Sequence, residues 1–163
     1  MRNWQKVRDS MREILYKAKR IDTGEWVVGS LIQTSYFRSI RSWISSEQED
    51  KARLREISSN QAVWRAFEVR NDTICQCTGL KDKNGKLIWE NDIVKATVRQ
   101  NSLCQSSSYS DFYQVAYHEK YCYFYLKKKN NNLLFDGNWS YYLKSIEVIG
   151  NIFDNKELLE SEG

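Results

Sequence analysis

Short apolar runs separated by clusters of Asp, Asn and Gly recur along this chain, and that punctuation limits its fold more than any other feature. Asp22-Thr23-Gly24 parts the run ending at Arg20 from Glu25-Trp26-Val27-Val28-Gly29. Asp82-Lys83-Asn84-Gly85 parts Thr78-Gly79-Leu80 from Leu87-Ile88-Trp89, and Asp136-Gly137-Asn138 marks another reversal. Asn-Gly accepts the positive φ that tight hairpins need. The 163 residues contain no proline, so turns must come from Gly, Asn, Asp and Ser. Six Trp and ten Tyr suit the pleated surface of a sheet. These signals predict a mainly β fold: small barrel-like or sandwich-like packing of short antiparallel strands, with one or two short helices. An apolar fraction of 41% can fill an interior and argues against a disordered chain.

Helical spacing of Trp4, Val7 and Met11 predicts a short helix within residues 3–11. A strand from about 13 to 20 follows, paired with 25–29 across the first turn. Met11 also reads as an alternative natural start, with residues 1–10 upstream of it. Residues 30–45 scatter Tyr36, Phe37 and Trp43 with no clean period. Ser46-Glu47-Gln48-Glu49 reads as a capping box that opens a charged helix running to Ile57. Strands resume from Ala62 and recur at 92–98, about 112–118, about 120–128 and near 145–153. The serine-rich stretch 101–111 is expected to be a loop, Asn130-Asn131-Asn132 a polar break, and Leu158-Leu159 the end of a short turn or helix. The expected organisation is a basic N-terminal extension, 1–11, and a domain over 12–163. Whether that domain divides into two subdomains, about 12–62 and 63–163, stays open.

The formal net charge of +4 is concentrated at one end. Residues 1–20 hold seven basic side chains against Asp9 and Glu13, which could steer the chain towards nucleic acid or an acidic partner. No stretch approaches the roughly 20 apolar residues of a membrane-spanning helix, and the charged N-terminus lacks a secretory signal. Cys75, Cys77, Cys104 and Cys122 are therefore expected as thiols in a reducing cytoplasm.

Three segments in order carry a family likeness. They are Leu15 to Gly29 (LYKAKRIDTGEWVVG), Thr78 to Val94 (TGLKDKNGKLIWENDIV), and Ile146 to Phe153 (IEVIGNIF) followed by Asn155, Glu157, Leu158 and Leu159. Together they resemble the YopX family of phage and prophage proteins of low-GC bacteria. The likeness departs from the family pattern in three places. Asn91 stands in Glu90-Asn91-Asp92 where a glycine is usual, Cys75 and Cys77 stand where a glycine and an aromatic are expected, and Lys156 replaces a common proline. Asn tolerates left-handed backbone, so the turn at Asn91 is expected to survive. The resemblance implies a β-dominated architecture in the cytoplasm of a bacterial host and a phage-related context. It implies no reaction. The motif itself reads as hairpin and barrel construction.

Catalytic candidates are few. His118 is the single histidine, which removes His-based metal sites and triads with a second imidazole; beside Glu119 it reads as a surface residue. Cys75-x-Cys77 would share a strand face, but Cys104 and Cys122 stand alone, a poor zinc set. Glu90 with Asp92, and Glu49-Asp50-Lys51, are the carboxylates that could serve a metal-dependent nuclease. Asp82-x-Asn84-Gly85 has the flavour of a calcium loop with its glycine two positions early. These read as turns and solvated carboxylates, so no catalytic residue, metal or cofactor is expected.

The candidate binding surface is an aromatic block. Tyr121, Tyr123 and Tyr125 would face one side of a strand, Cys122, Phe124 and Leu126 the other, with Lys127, Lys128 and Lys129 following. The expected role is binding of a protein partner or self-assembly into a homo-oligomer. The alternative is nucleic acid, because aromatics beside cations on a sheet can stack bases and track phosphates.

Overall fold

The computed structural model describes residues 14–36, 39–46, 66–102, 105–128, 133–135 and 145–160. The expected helix at 3–11, the alternative start at Met11, the helix beyond Ser46 and the turns near 130–138 lie outside the described residues, as does Cys104. The chain divides into two compact units at Ile74–Cys75. Both are antiparallel β, as the turn punctuation predicts, and the helical content of the described residues is two 3-10 turns, Asn71–Thr73 and Lys156–Leu159. No helix among the described residues is long and apolar enough to cross a membrane.

The first unit contains β1 (Tyr16–Lys19), β2 (Trp26–Tyr36), β3 (Ser39–Ser45) and β4 (Ala66–Val69), in the order β4-β3-β2-β1. The turn after β1 is built as its sequence suggests. Gly24 takes φ 74°, Asp22 accepts from the Thr23 amide, and the Arg20 and Glu25 backbones meet at 2.9 Å. Beyond β1 the sheet curls on itself. The Ile21 amide donates to the Glu68 carbonyl and the Arg70 amide to the Lys19 carbonyl, around a bridge from Arg20 to Val69. Among the described residues the strands form open sheets and no closed barrel. The inner face carries Ala18, Val27, Ile44 and Val69, all buried, with Tyr16, Leu31, Phe67 and Ile74 packed around them. A Cβ on Gly29 would lie 1.9 Å from the Ser45 carbonyl oxygen, so the close approach of β2 and β3 requires glycine there.

Residues 30–45, which show no clean period, are thus two paired strands. The reason is that the paired positions contribute polar as well as apolar residues to both faces: buried Ser42 lies on the inner side, exposed Ile32 on the outer. Hydrogen-bonded register, which periodicity does not report, holds the pair.

The second unit contains β5 (Cys75–Lys81), β6 (Leu87–Trp89), β7 (Asp92–Ser102), β8 (Gln105–His118), β9 (Tyr123–Lys127), β10 (Leu133–Phe135) and β11 (Glu147–Asn151). The last five make one sheet, ordered β10-β9-β8-β7-β11. The β5–β6 hairpin layers on it, and Ile88 and Leu80 join Val94, Ala96, Tyr113, Val115, Leu126, Ile146 and Val148 in one core. The stretch 101–111 is not a loop. β7 and β8 stay in register from Ile93–Gln114 out to Ser102–Gln105. Backbone pairing needs no apolar side chain, and where Thr97 meets Ser110 the hydroxyls bond each other at 2.8 Å. Polarity there does not mark the end of the ladder. The strand expected at 120–128 begins at Tyr123 and the one expected at 145–153 ends at Asn151, each shortened by a turn.

The two layers of the second unit are tied by a buried carboxylate. Asp82 accepts through Oδ1 from the amides of Asn84 (2.8 Å) and Lys86 (2.9 Å), and through Oδ2 from the amide of Val148 on β11 (3.0 Å). Beside it the Lys83 amide donates to the Ile146 carbonyl at 2.9 Å, and Lys83 pairs with Glu147. Burial works to raise the Asp82 pKa, but the amides of Val148, Lys86 and Asn84 and the charge of Lys86 outweigh it, so the carboxyl sits below its usual range. A depressed native pKa contributes stability that is complete above the unfolded value near 4 and is lost as pH falls through the native value. Asp82→Asn is therefore expected to cost on the order of 2 kcal/mol at pH 7. In urea titrations its deficit relative to wild type should shrink below about pH 4; a deficit independent of pH would contradict this assignment.

Candidate functional site

The β8–β9 connection places the candidate tyrosines. Glu119, Lys120, Tyr121 and Cys122 form the turn, closed by the Cys122 amide on the His118 carbonyl at 2.8 Å, and Cys122 takes the left-handed φ of 54° that the reversal demands. Antiparallel register then sets His118 opposite Tyr123, Ala116 opposite Tyr125 and Gln114 opposite Lys127 on one face. The other face carries Tyr117 opposite Phe124 and Val115 opposite Leu126, and it belongs to the core side.

Tyr121, Tyr123 and Tyr125 come together, although Tyr121 belongs to the turn and not to the strand. Tyr121 stacks on Tyr123 with centroids 6.2 Å apart and planes 14° from parallel, and Tyr123 meets Tyr125 edge-on at 6.3 Å. At their centre lies His118, 4.8, 5.4 and 5.9 Å from the three rings in chain order. The small Ala116 side chain beside Tyr125 leaves room for the imidazole. His118 is no simple surface residue: it is half-buried, and its Nδ1 is shielded from solvent without a hydrogen-bond partner. Sequence reasoning weighed this histidine against metal and proton chemistry and missed its packing role. The available signal was its position at the end of an apolar run, three residues before Tyr121.

The lysines separate. Lys127 shares the tyrosine face, whereas Lys128 turns to the buried carboxylate of Asp111, and Lys129 lies outside the described residues. Lys120 sits 5.2 Å over the Tyr121 ring. Tyr121 is 59% exposed, the outermost ring of the group. On the opposite face, the hydrogen bond with Cys122 raises the Tyr117 pKa, helped by burial and by the nearby Cys122, Glu90 and Glu119.

The remaining candidates are parts of turns. Asp92 is buried and accepts from the Trp89 amide at 2.9 Å, while burial raises the pKa of Glu90 against the pull of its hydrogen bond with the Gln76 backbone. Cys75 and Cys77 are buried, and Cys75, Cys77 and Cys122 form no disulfide. Glu49 and Asp50 lie outside the described residues. Among the described residues, no three of His, Cys, Asp and Glu gather where they could hold a metal ion.

A family model described as YopX protein matches residues 15–160. The chain belongs to the YopX family. No curated protein matches it. Among solved structures it is similar to the crystal structure of protein EF1440 from Enterococcus faecalis, at 22% identity over 91% of this chain and 99% of that one, with a TM-score of 0.49.

In this YopX chain the family-like segments do structural work. Asn91, at the position where the family has glycine, adopts φ 64°. Its amide donates to the Val115 carbonyl and its own carbonyl accepts from Ile152, while its side chain accepts from Gln114 at 3.0 Å and reaches Cys75 Sγ at 3.7 Å. Asn151 accepts from the Phe153 and Asp154 amides, and Gly150 lies so close to Asn155 that a Cβ would stand 2.5 Å from its Oδ1. The second and third family-like segments, Thr78 to Val94 and Ile146 to Phe153, therefore build the clasps of the second unit. Ring packing around His118 is open to NMR. Its imidazole protons should resonate upfield of an exposed histidine and move downfield in Tyr121→Leu; unshifted signals in both proteins would refute the cluster.

Proposed function

We propose that this YopX protein is a phage- or prophage-encoded accessory protein of the bacterial cytoplasm that binds a protein partner through the aromatic end of the β8–β9 hairpin and catalyses no reaction. The observation that carries this reading is the group of Tyr121, Tyr123 and Tyr125 packed around His118, with Tyr121 projecting into solvent. Tyrosines held by one another have little side-chain entropy left to lose on association, and they offer apolar edges and hydroxyls together. Such residues dominate the central, well-packed parts of protein interfaces. A second copy of the chain is one partner of this kind.

Base stacking suits the hairpin less well. The tyrosine ring faces are occupied by neighbouring rings, and Lys128 is engaged by Asp111. A nucleic-acid platform needs ring faces that a base can cover and cations that can reach phosphate.

The test compares wild type with Tyr121→Ser/Tyr123→Ser, both immobilised against nuclease-treated host lysate and both examined by sedimentation velocity. The expected result is a retained protein, or a concentration-dependent self-association, weakened at least tenfold by the double substitution at unchanged circular dichroism. Identical retention and identical mass for the two proteins would overturn the reading.

A further inference from the structure

We propose that the free edge of β2 pairs antiparallel with the same edge of a second copy of the chain, a self-association surface separate from the aromatic hairpin. β1 covers only the first part of this strand. Its pairing stops with Tyr16 opposite Gly29, while β3 accompanies the other side of β2 as far as Tyr36. Among the described residues no strand lies along the β1 side of Ile32, Gln33, Thr34 and Ser35, and all four are exposed. The hairpin fixes which backbone groups point that way. The Arg20 amide donates to the Glu25 carbonyl, so the amides and carbonyls of alternate residues from Glu25 onwards, Gln33 and Ser35 among them, face the β1 side. Two other sheet edges are closed within the chain. The Ile21 amide and the Arg20–Val69 bridge cover β4, and the Asp82 carboxylate takes the outward Val148 amide of β11.

The chemistry of the edge selects the occupant. Sheets that must avoid pairing protect an edge with lysine, proline, a bulge or an inward charge. β2 has none of these: its eleven residues carry no charge, in a chain that is 28% charged, and its register with β3 runs from Ser30 to Tyr36 without a shift. A charged foreign strand would find nothing on β2 to select it. Two-fold pairing, by contrast, needs that neutrality, because it sets a residue against itself, where like charges repel. Opposed residues share a face, so the two-fold axis must pass through a residue and not between two. Centred on Thr34, it sets Thr34 against Thr34 in a close pair without ladder bonds and brings Ile32 opposite Tyr36. Gln33 of each copy then exchanges backbone hydrogen bonds with Ser35 of the other, which uses the groups that alternation turns outwards. Ile32, 45% exposed in the single chain, gains a neighbour across the join. So short a ladder makes a small interface and a reversible dimer.

Sedimentation velocity on the whole chain tests the proposal. Wild type should dimerise reversibly at loading concentrations up to about 1 mM. Thr34→Glu and Thr34→Lys each place two like charges in the close pair and should weaken the dimer at least about tenfold. An equimolar mixture of the two variants should regain wild-type association as a mixed dimer. Tyr121→Ser/Tyr123→Ser should dimerise at this edge as wild type does, which separates it from the hairpin. Should a Thr34 variant fail to fold, wild type carries a second readout: hydrogen exchange at the Gln33 and Ser35 amides should slow as protein concentration rises. The proposal is overturned by a wild type that stays monomeric at about 1 mM. Unchanged dimer affinity in the folded Thr34 variants, a mixture no tighter than either variant alone, or exchange at Gln33 and Ser35 that ignores concentration would each overturn it too.

Discussion

A buried carboxylate beneath a hairpin turn holds the second unit of this protein in register. Three amides converge on Asp82, two from its own turn and one from β11, more than sixty residues away in sequence. The side chain shapes the loop as a local acceptor and ties that loop to the far strand of the sheet. A neutral, solvent-facing turn residue could do the first and not the second. Asn91 repeats the principle at the other end of β6, where a left-handed backbone and an amide side chain join β5, β8 and the segment after β11. Between these two ties lies the core built on Ile88, Val94, Tyr113 and Leu126.

This arrangement explains what could be read from the sequence and what could not. Turns announced themselves, because Gly24 and Gly85 need positive φ and few residues supply it. The alternation in β9 placed Leu126 inside and Tyr123 and Tyr125 outside, since a strand buried on one side leaves that mark. The long β7–β8 ribbon left no such mark: its outer part is polar, and pairing there rests on backbone hydrogen bonds that composition does not record. The candidate site was half legible. Three tyrosines at alternate positions were visible as a group, but the place of His118 among them depends on a cross-strand register, and the capture of Lys128 by Asp111 on a partner seventeen residues back.

The hairpin tip and the outer face of the β1–β4 sheet differ in physical character. At the hairpin, rings lean on rings, Tyr121 on Tyr123 and Tyr123 on Tyr125. On the outer face of the β1–β4 sheet, indoles lie beneath cations, Lys17 and Lys19 over Trp26 and Arg41 over Trp43. The family-like segments Thr78 to Val94 and Ile146 to Phe153 lie outside the aromatic hairpin. They maintain the scaffold, from which Tyr121 stands out into solvent.

Native-state hydrogen exchange at the Asp82 clasp tests this account most directly, because it reads each amide separately. If the carboxylate joins the two layers, the amides of Asn84 and Lys86 exchange together with that of Val148, and as slowly as the Val94 and Tyr113 amides in the centre of the sheet. Exchange of Asn84 and Lys86 at the rate of an exposed loop, with Val148 still protected, would mean that the turn and the strand are held independently and would contradict it.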